Sequence, residues 1–261
     1  MMTDPEERLP KIQTCYGTLP SMLRKFDRFA RRDYFRGHSA EEFEEWRKRE
    51  RILLSELLGL EKMEVCDLNP VIMETKIFPE GIRREHIRIQ TEPDVWMTMY
   101  LLVPADAGPN TRLFLCPPGH NGAGKYTVAG LAKYGAVQEK ITQYQYDYGL
   151  QLARRGFAAV CPDCRGFGER REAKEDTQDP VLGLKGDCYW LAHMGEPLGI
   201  PVAGMLVWDL MRLIDYLELR GEWDMEHLGC LGFSGGGMQT LYLAALGEAV
   251  ICMDSAMRFL R

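Results

Sequence analysis

The sequence predicts an α/β protein, a three-layer α/β/α sandwich built on a mostly parallel sheet. Short apolar runs (Leu113 to Cys116, Phe157 to Cys161, His227 to Leu231, Ala249 to Met253) alternate with helical stretches, the rhythm of strand–helix units covered on both faces. The length of 261 residues suits one such domain. A tight glycine-rich turn joins a strand to a helix at Gly232-Phe233-Ser234-Gly235-Gly236.

The elements follow in order. Residues 1–38 read as an irregular, basic-aromatic arm, and 39–261 as the domain proper. Ser39-Ala-Glu-Glu42 has capping-box spacing. It opens a helical extension over 39–59 carrying Phe43, Trp46, Leu53, Leu54 and Leu57, which ends at Gly59. Residues 84–90 and 95–103 alternate as two strands around Glu92-Pro93-Asp94. Leu113 to Cys116 is a buried strand, 142–155 a helix, and Phe157 to Cys161 the next strand. Residues 169–201 lack clear periodicity, and an excursion this long implies a lid or pocket wall. A helix spans 202–219, with Asp209, Arg212, Asp215 and Glu218 as a polar stripe. A strand at 227–231, a helix at 236–246 and a strand at 249–253 complete the chain.

Net charge is −6, so no overall basic field draws in nucleic acid or an anionic membrane. The opening MMTDPEERLPKIQ lacks the pattern of a signal peptide, and no apolar run approaches the roughly 20 residues of a membrane span. The expectation is a cytoplasmic protein whose eight cysteines are reduced. Cys161-Pro-Asp-Cys164 is a single C-x-x-C with no second pair at zinc spacing. No metal or organic cofactor is implied.

The turn at 232–236 has the form G-x-S-x-G, between a predicted strand and a predicted helix. In that setting Ser234 is held clear of the sheet as a nucleophile. The Gly235 N–H aims at a developing oxyanion, aided by the positive end of the helix. A second oxyanion donor is expected from Gly119-His120-Asn121-Gly122, with Asn121 and Gly122 as candidates and His120 as a pin for the loop. Tyr126, Trp190, His193 and Met194 are the expected lining of an apolar substrate pocket.

The runs Tyr148 to Gly168, which closes on Asp163-Cys-Arg-Gly-Phe-Gly168, and Val207 to Gly237 resemble the helix–strand and helix–strand–elbow segments of the α/β-hydrolase superfamily. The nearest branch resembles the acetyl xylan esterase and dienelactone-hydrolase-like group. The resemblance covers roughly residues 40–255. It implies hydrolysis of a small-molecule carboxylic ester, an acetylated sugar being one such substrate, through an acyl-enzyme on Ser234. A histidine would be the base and a carboxylate its partner. It also implies that Asp163 and Arg165 brace a loop.

One departure matters. The superfamily order is Ser, acid, His, yet all five histidines (His38, His86, His120, His193, His227) precede Ser234. The only later acids are Glu248 and Asp254, and Asp254, after the next strand, is the acid candidate. The sheet is therefore expected to lack its last strands and to expose an apolar edge near Val250 and Ile251. A homo-oligomer covering that edge, a histidine from another chain, and a fragment of a longer protein all stay open. A non-catalytic scaffold is one rival. Another is a nucleotide-binding loop, because Gly119 to Lys125 fits G-x-x-x-x-G-K. Against it, Tyr126 stands where a Mg²⁺-binding hydroxyl is needed.

Overall fold

A computed structural model of the chain describes residues 16–120, 123–132, 135–172, 186–247 and the backbone of 251–255. Their contacts form two compact units, one ending at Glu50 and one beginning at Arg51.

In the first unit, the segment expected to be irregular contains helix α1, Leu19–Phe29. Pro20 sits in its first turn, where a missing N–H costs nothing. Leu19, Met22, Leu23 and Phe26 recur at helical spacing, a period hidden by the surrounding charges. The second helix, α2, spans Ala40–Leu57. Its capping box closes in both directions: the Glu42 N–H donates to Ser39 Oγ at 3.1 Å, and the Ser39 N–H donates to Glu42 Oε2 at 3.1 Å. Beyond α2, Gly59 takes φ +64°. A side chain there would meet the Gly199 carbonyl at 2.6 Å, so the stop needs glycine on two counts.

The second unit is built on a seven-stranded sheet in the order β1-β2-β3-β5-β4-β6-β7. The strands are β1 Val71–Ile77, β2 Arg83–Glu92, β3 Val95–Val103, β4 Leu113–Leu115, β5 Ala158–Pro162, β6 Gly229–Phe233 and β7 Ile251–Ser255. The sheet is mixed. β1, β2, β3 and β5 pair antiparallel in succession, whereas β5, β4, β6 and β7 run parallel. The parallel character expected from strand–helix alternation thus holds from β4 onward. β1 and β2 extend the sheet as an antiparallel flap.

Six helices accompany these strands among the described residues: α3 Lys125–Val128, α4 Gly135–Tyr144, α5 Tyr148–Ala153, α6 Cys188–Gly195, α7 Val202–Arg220 and α8 Gly235–Leu246. The single helix expected over 142–155 is two, broken at Gln145 with φ +51°. The break turns Tyr146 inward, where it packs edge-on to Phe233 at 5.5 Å. The 169–201 excursion carries α6 and a short turn at Glu196–Leu198, while 173–185 lie outside the described residues. Asp209 leaves the polar stripe expected on α7: it is buried, for reasons given below.

Both faces of the central strands are covered. Met97, Met99, Leu101 and Val103 of β3 pack with Val207, Leu210, Leu213 and Leu217 of α7. Tyr100 and Leu102, pointing the other way, pack with Val128 and Leu150. Each fully buried leucine contributes about 1.5–3 kcal/mol.

Candidate active site

β5, β4 and β6 are parallel neighbours, so the chain leaves all three at the same edge of the sheet, where open α/β folds place their ligands. From β6 it enters Ser234 at φ +54° and ψ −115°. Few residues with a side chain adopt this conformation, which costs about 1–3 kcal/mol. The surroundings enforce it. A Cβ on Gly232 would collide with the Gly236 carbonyl, and one on Gly236 with the Pro117 carbonyl oxygen. Strand and helix therefore approach closely only with glycine at these positions. Ser234 is exposed, and α8 begins at the next residue. Its hydroxyl stands at the positive end of a helix of 12 residues.

From β4 the chain enters Pro117-Pro118-Gly119-His120, which packs directly on this turn. A Cβ built on Gly119 would lie 3.1 Å from the Gly235 nitrogen. One built on Gly235 would lie 2.9 Å from His120 Nδ1. The carbonyls of this loop are held from within the protein. Tyr148 Oη donates to Pro117 O at 2.7 Å, Gln239 Nε2 to Pro118 O at 3.3 Å, and Tyr146 Oη to His120 O at 3.3 Å. Gln239 also donates to Gly235 O at 3.2 Å and accepts from Cys164 Sγ at 3.1 Å. One amide thus ties together the segments leaving β4, β5 and β6. Burial pushes the Cys164 thiol and the Tyr146 phenol well up, so both stay protonated donors.

The chain leaving β5 provides the brace. Asp163 is fully buried, and its carboxylate accepts from the Lys125 N–H at 2.8 Å, Thr98 Oγ1 at 2.8 Å, the Glu169 N–H at 3.1 Å, and the Lys125 ammonium. Lys125 also pairs with Glu169 at 3.1 Å. Glu169 accepts from Tyr126 Oη at 2.9 Å and lies 3.3 Å from His86 Nε2. Partial burial works to raise the Glu169 pKa. The neighbouring His86 imidazole and the Lys125 charge outweigh it and hold the carboxyl well below the usual range. Beside this group, Arg165 makes a bidentate pair with Asp209, both bonds 3.0 Å, and also binds Glu92. Arg170 donates to Asp209 at 2.7 Å. Burial works to raise the Asp209 pKa, yet the Arg170 and Arg165 charges keep it lowered. Two buried cations are why this acid faces inward.

The predicted site residues fall in three groups. Ser234 and Gly235 form the turn itself. Asp254 lies on β7 opposite Gly232, at the same edge of the sheet. Asn121 and Gly122 lie outside the described residues, as does Val250 of the expected apolar edge. Two of the expected pocket residues, Tyr126 and Met194, each line a cavity among the described residues. Tyr126 lines a cavity of about 580 Å³ with Arg84, His86, Tyr100 and Glu169. Met194 lines another of about 470 Å³ with Trp96, Arg165 and Leu191. Ser234 borders neither. Trp190 and His193 stand exposed on α6, and the His193 ring lies tilted against Tyr189, centroids 4.1 Å apart. Tyr146, Tyr148 and Gln239, which hold the loop, carry no signal in the sequence, because each acts on a segment remote along the chain. The nucleotide reading fails on Lys125. Its ammonium has 0% exposure and lies between two carboxylates, out of reach of a phosphate. The helix after it is one turn long.

A serine elbow at the carboxyl edge of a sheet whose flank is antiparallel defines a protein of the α/β-hydrolase fold. Comparison with known proteins agrees and goes further. Residues 8–247 match the Abhydrolase family, and the chain belongs to it. Its fold is of the acetyl xylan esterase type. A Bacteroides fragilis structure assigned as an acetyl xylan esterase superposes with a TM-score of 0.74 at 20% identity, over 93% of this chain and 61% of that one. The methylesterase BT1017 superposes at 0.58, with 20% identity, over 87% of this chain and 42% of that one. A Bacillus subtilis protein classed as a hydrolase, YtaP, is 27% identical over 105 residues, 40% of this chain and 31% of that protein. The chain thus spans under two thirds of the length of each.

Proposed function

We propose that this chain carries the nucleophile and the oxyanion-binding half of a carboxylic ester hydrolase. The observation that carries the reading is the exposed Ser234 held at φ +54° between β6 and α8. The similar structures, one assigned as an acetyl xylan esterase and one a methylesterase, support an ester as the substrate class. In this reading Ser234 Oγ attacks the carbonyl carbon of a small ester and the carbonyl oxygen becomes an oxyanion. The Gly235 N–H, with Asn121 or Gly122, stabilises it; as this intermediate collapses the C–O bond to the leaving group breaks, the Ser234 hydroxyl proton ends on the departing oxygen to release the alcohol, and an acyl-serine remains. Asp254 is the candidate acid. These residues supply the attack and the oxyanion stabilisation.

A fluorophosphonate probe with peptide mapping tests this. Labelling at Ser234 that disappears in Ser234→Ala is expected. A Ser234→Ala variant that hydrolyses p-nitrophenyl acetate as fast as the parent refutes it. An unlabelled parent chain selects a second reading, a scaffold without catalysis.

A further inference from the structure

We infer that α1 is an anchor for an anionic lipid surface. None of its 11 residues is buried. Leu19 (65% exposed), Met22 (55%), Leu23 (55%), Phe26 (65%) and Phe29 (53%) all present their side chains to solvent. At 100° per residue these five fall within an arc of about 120°. Such a stripe on a helix of low overall hydropathy suits a helix lying in the boundary between headgroups and acyl chains.

Charge selects the occupant. Between Tyr16 and His38 the basic residues are Arg24, Lys25, Arg28, Arg31, Arg32 and Arg36, against only Asp27 and Asp33. That leaves 26 basic and 36 acidic residues for the rest of the chain. The whole-chain charge of −6, which argued against an anionic membrane, hides this segregation. Arg28 and Arg32 each lie over the Phe29 ring, at 5.1 and 4.9 Å, so basic heads are held beside the apolar stripe. Long basic side chains in that position reach headgroup phosphates while their stems stay apolar.

Co-sedimentation of the full chain with vesicles tests the inference. Vesicles of phosphatidylcholine containing about 30% phosphatidylserine should retain the protein, and pure phosphatidylcholine should retain it at least about ten-fold less. Leu23→Glu/Phe26→Glu and Arg24→Glu/Arg28→Glu should each lower binding to the anionic vesicles about ten-fold or more. Both pairs are exposed, so their melting temperature and far-UV spectrum should match the parent. Equal retention on both vesicles, none on either, or retention unchanged in the Leu23/Phe26 variant overturns it. A concentration-dependent dimer that the Leu23/Phe26 variant dissociates, without vesicle binding, also overturns it, because a second copy then covers the face.

Discussion

Lys125→Met tests the brace behind the candidate oxyanion loop. Lys125 and Asp163 both have 0% exposure, so their pairing is unscreened by solvent. Methionine keeps the length of the side chain and removes its charge. Asp163 then remains buried without its cation, a loss that typically costs about 3–5 kcal/mol. It keeps three donors, the Lys125 N–H, Thr98 Oγ1 and the Glu169 N–H, so the lower end, about 3 kcal/mol, is expected. For a unit of this size that lowers the melting temperature by roughly 6–12 °C. Thermal and urea unfolding of the parent, Lys125→Met, Asp163→Asn and the double variant measure it. The double variant leaves no charge at position 163 and should lose less than the sum of the singles, with a coupling of about 2 kcal/mol. A Lys125→Met protein melting within about 2 °C of the parent, or a coupling near zero, refutes the reasoning.

Further outcomes follow from the same geometry. Ser234→Gly removes the side chain from a left-handed backbone position and should stabilise the chain by about 1 kcal/mol while abolishing fluorophosphonate labelling; destabilisation in urea would show that Ser234 is not strained. Glu169 has a folded pKa depressed below its unfolded value, so its contribution to stability is present above about pH 4.3 and is lost as the pH falls through the folded pKa. Glu169→Gln should therefore be less stable than the parent at neutral pH, with the gap closing below about pH 4; a gap that widens in acid is the contrary result.

The parts of the molecule that were legible in the sequence are those whose cause lies within a few residues. The Ser39–Glu42 capping box is a pair of bonds spanning three positions. The elbow is a strand, a strained serine and flanking glycines in direct succession. The β2–β3 hairpin turns on two residues, Pro93 and Asp94. Short-range sterics and hydrogen bonds specify such features wherever the chain goes next.

Partners brought together by the sheet order lay beyond that reach. Gly119 to Lys125 spells a phosphate loop locally, and only Asp163, 38 residues on, converts Lys125 into half of a buried ion pair. Asp209 fits a solvent stripe by helical period, until Arg165 and Arg170 arrive from the loop after β5. The break at Gln145 answers Phe233, far along the chain, against which Tyr146 must pack. The order β5-β4-β6 decides these meetings, because strands joined by long connections become neighbours only once the sheet has formed. The sequence by itself therefore determined the fold class and the serine turn, since both are written in periodicity and local backbone preference. The tertiary structure alone decided which charges are buried, what holds the loop against Ser234, and which cavities the expected pocket residues line, since each depends on distances between remote segments.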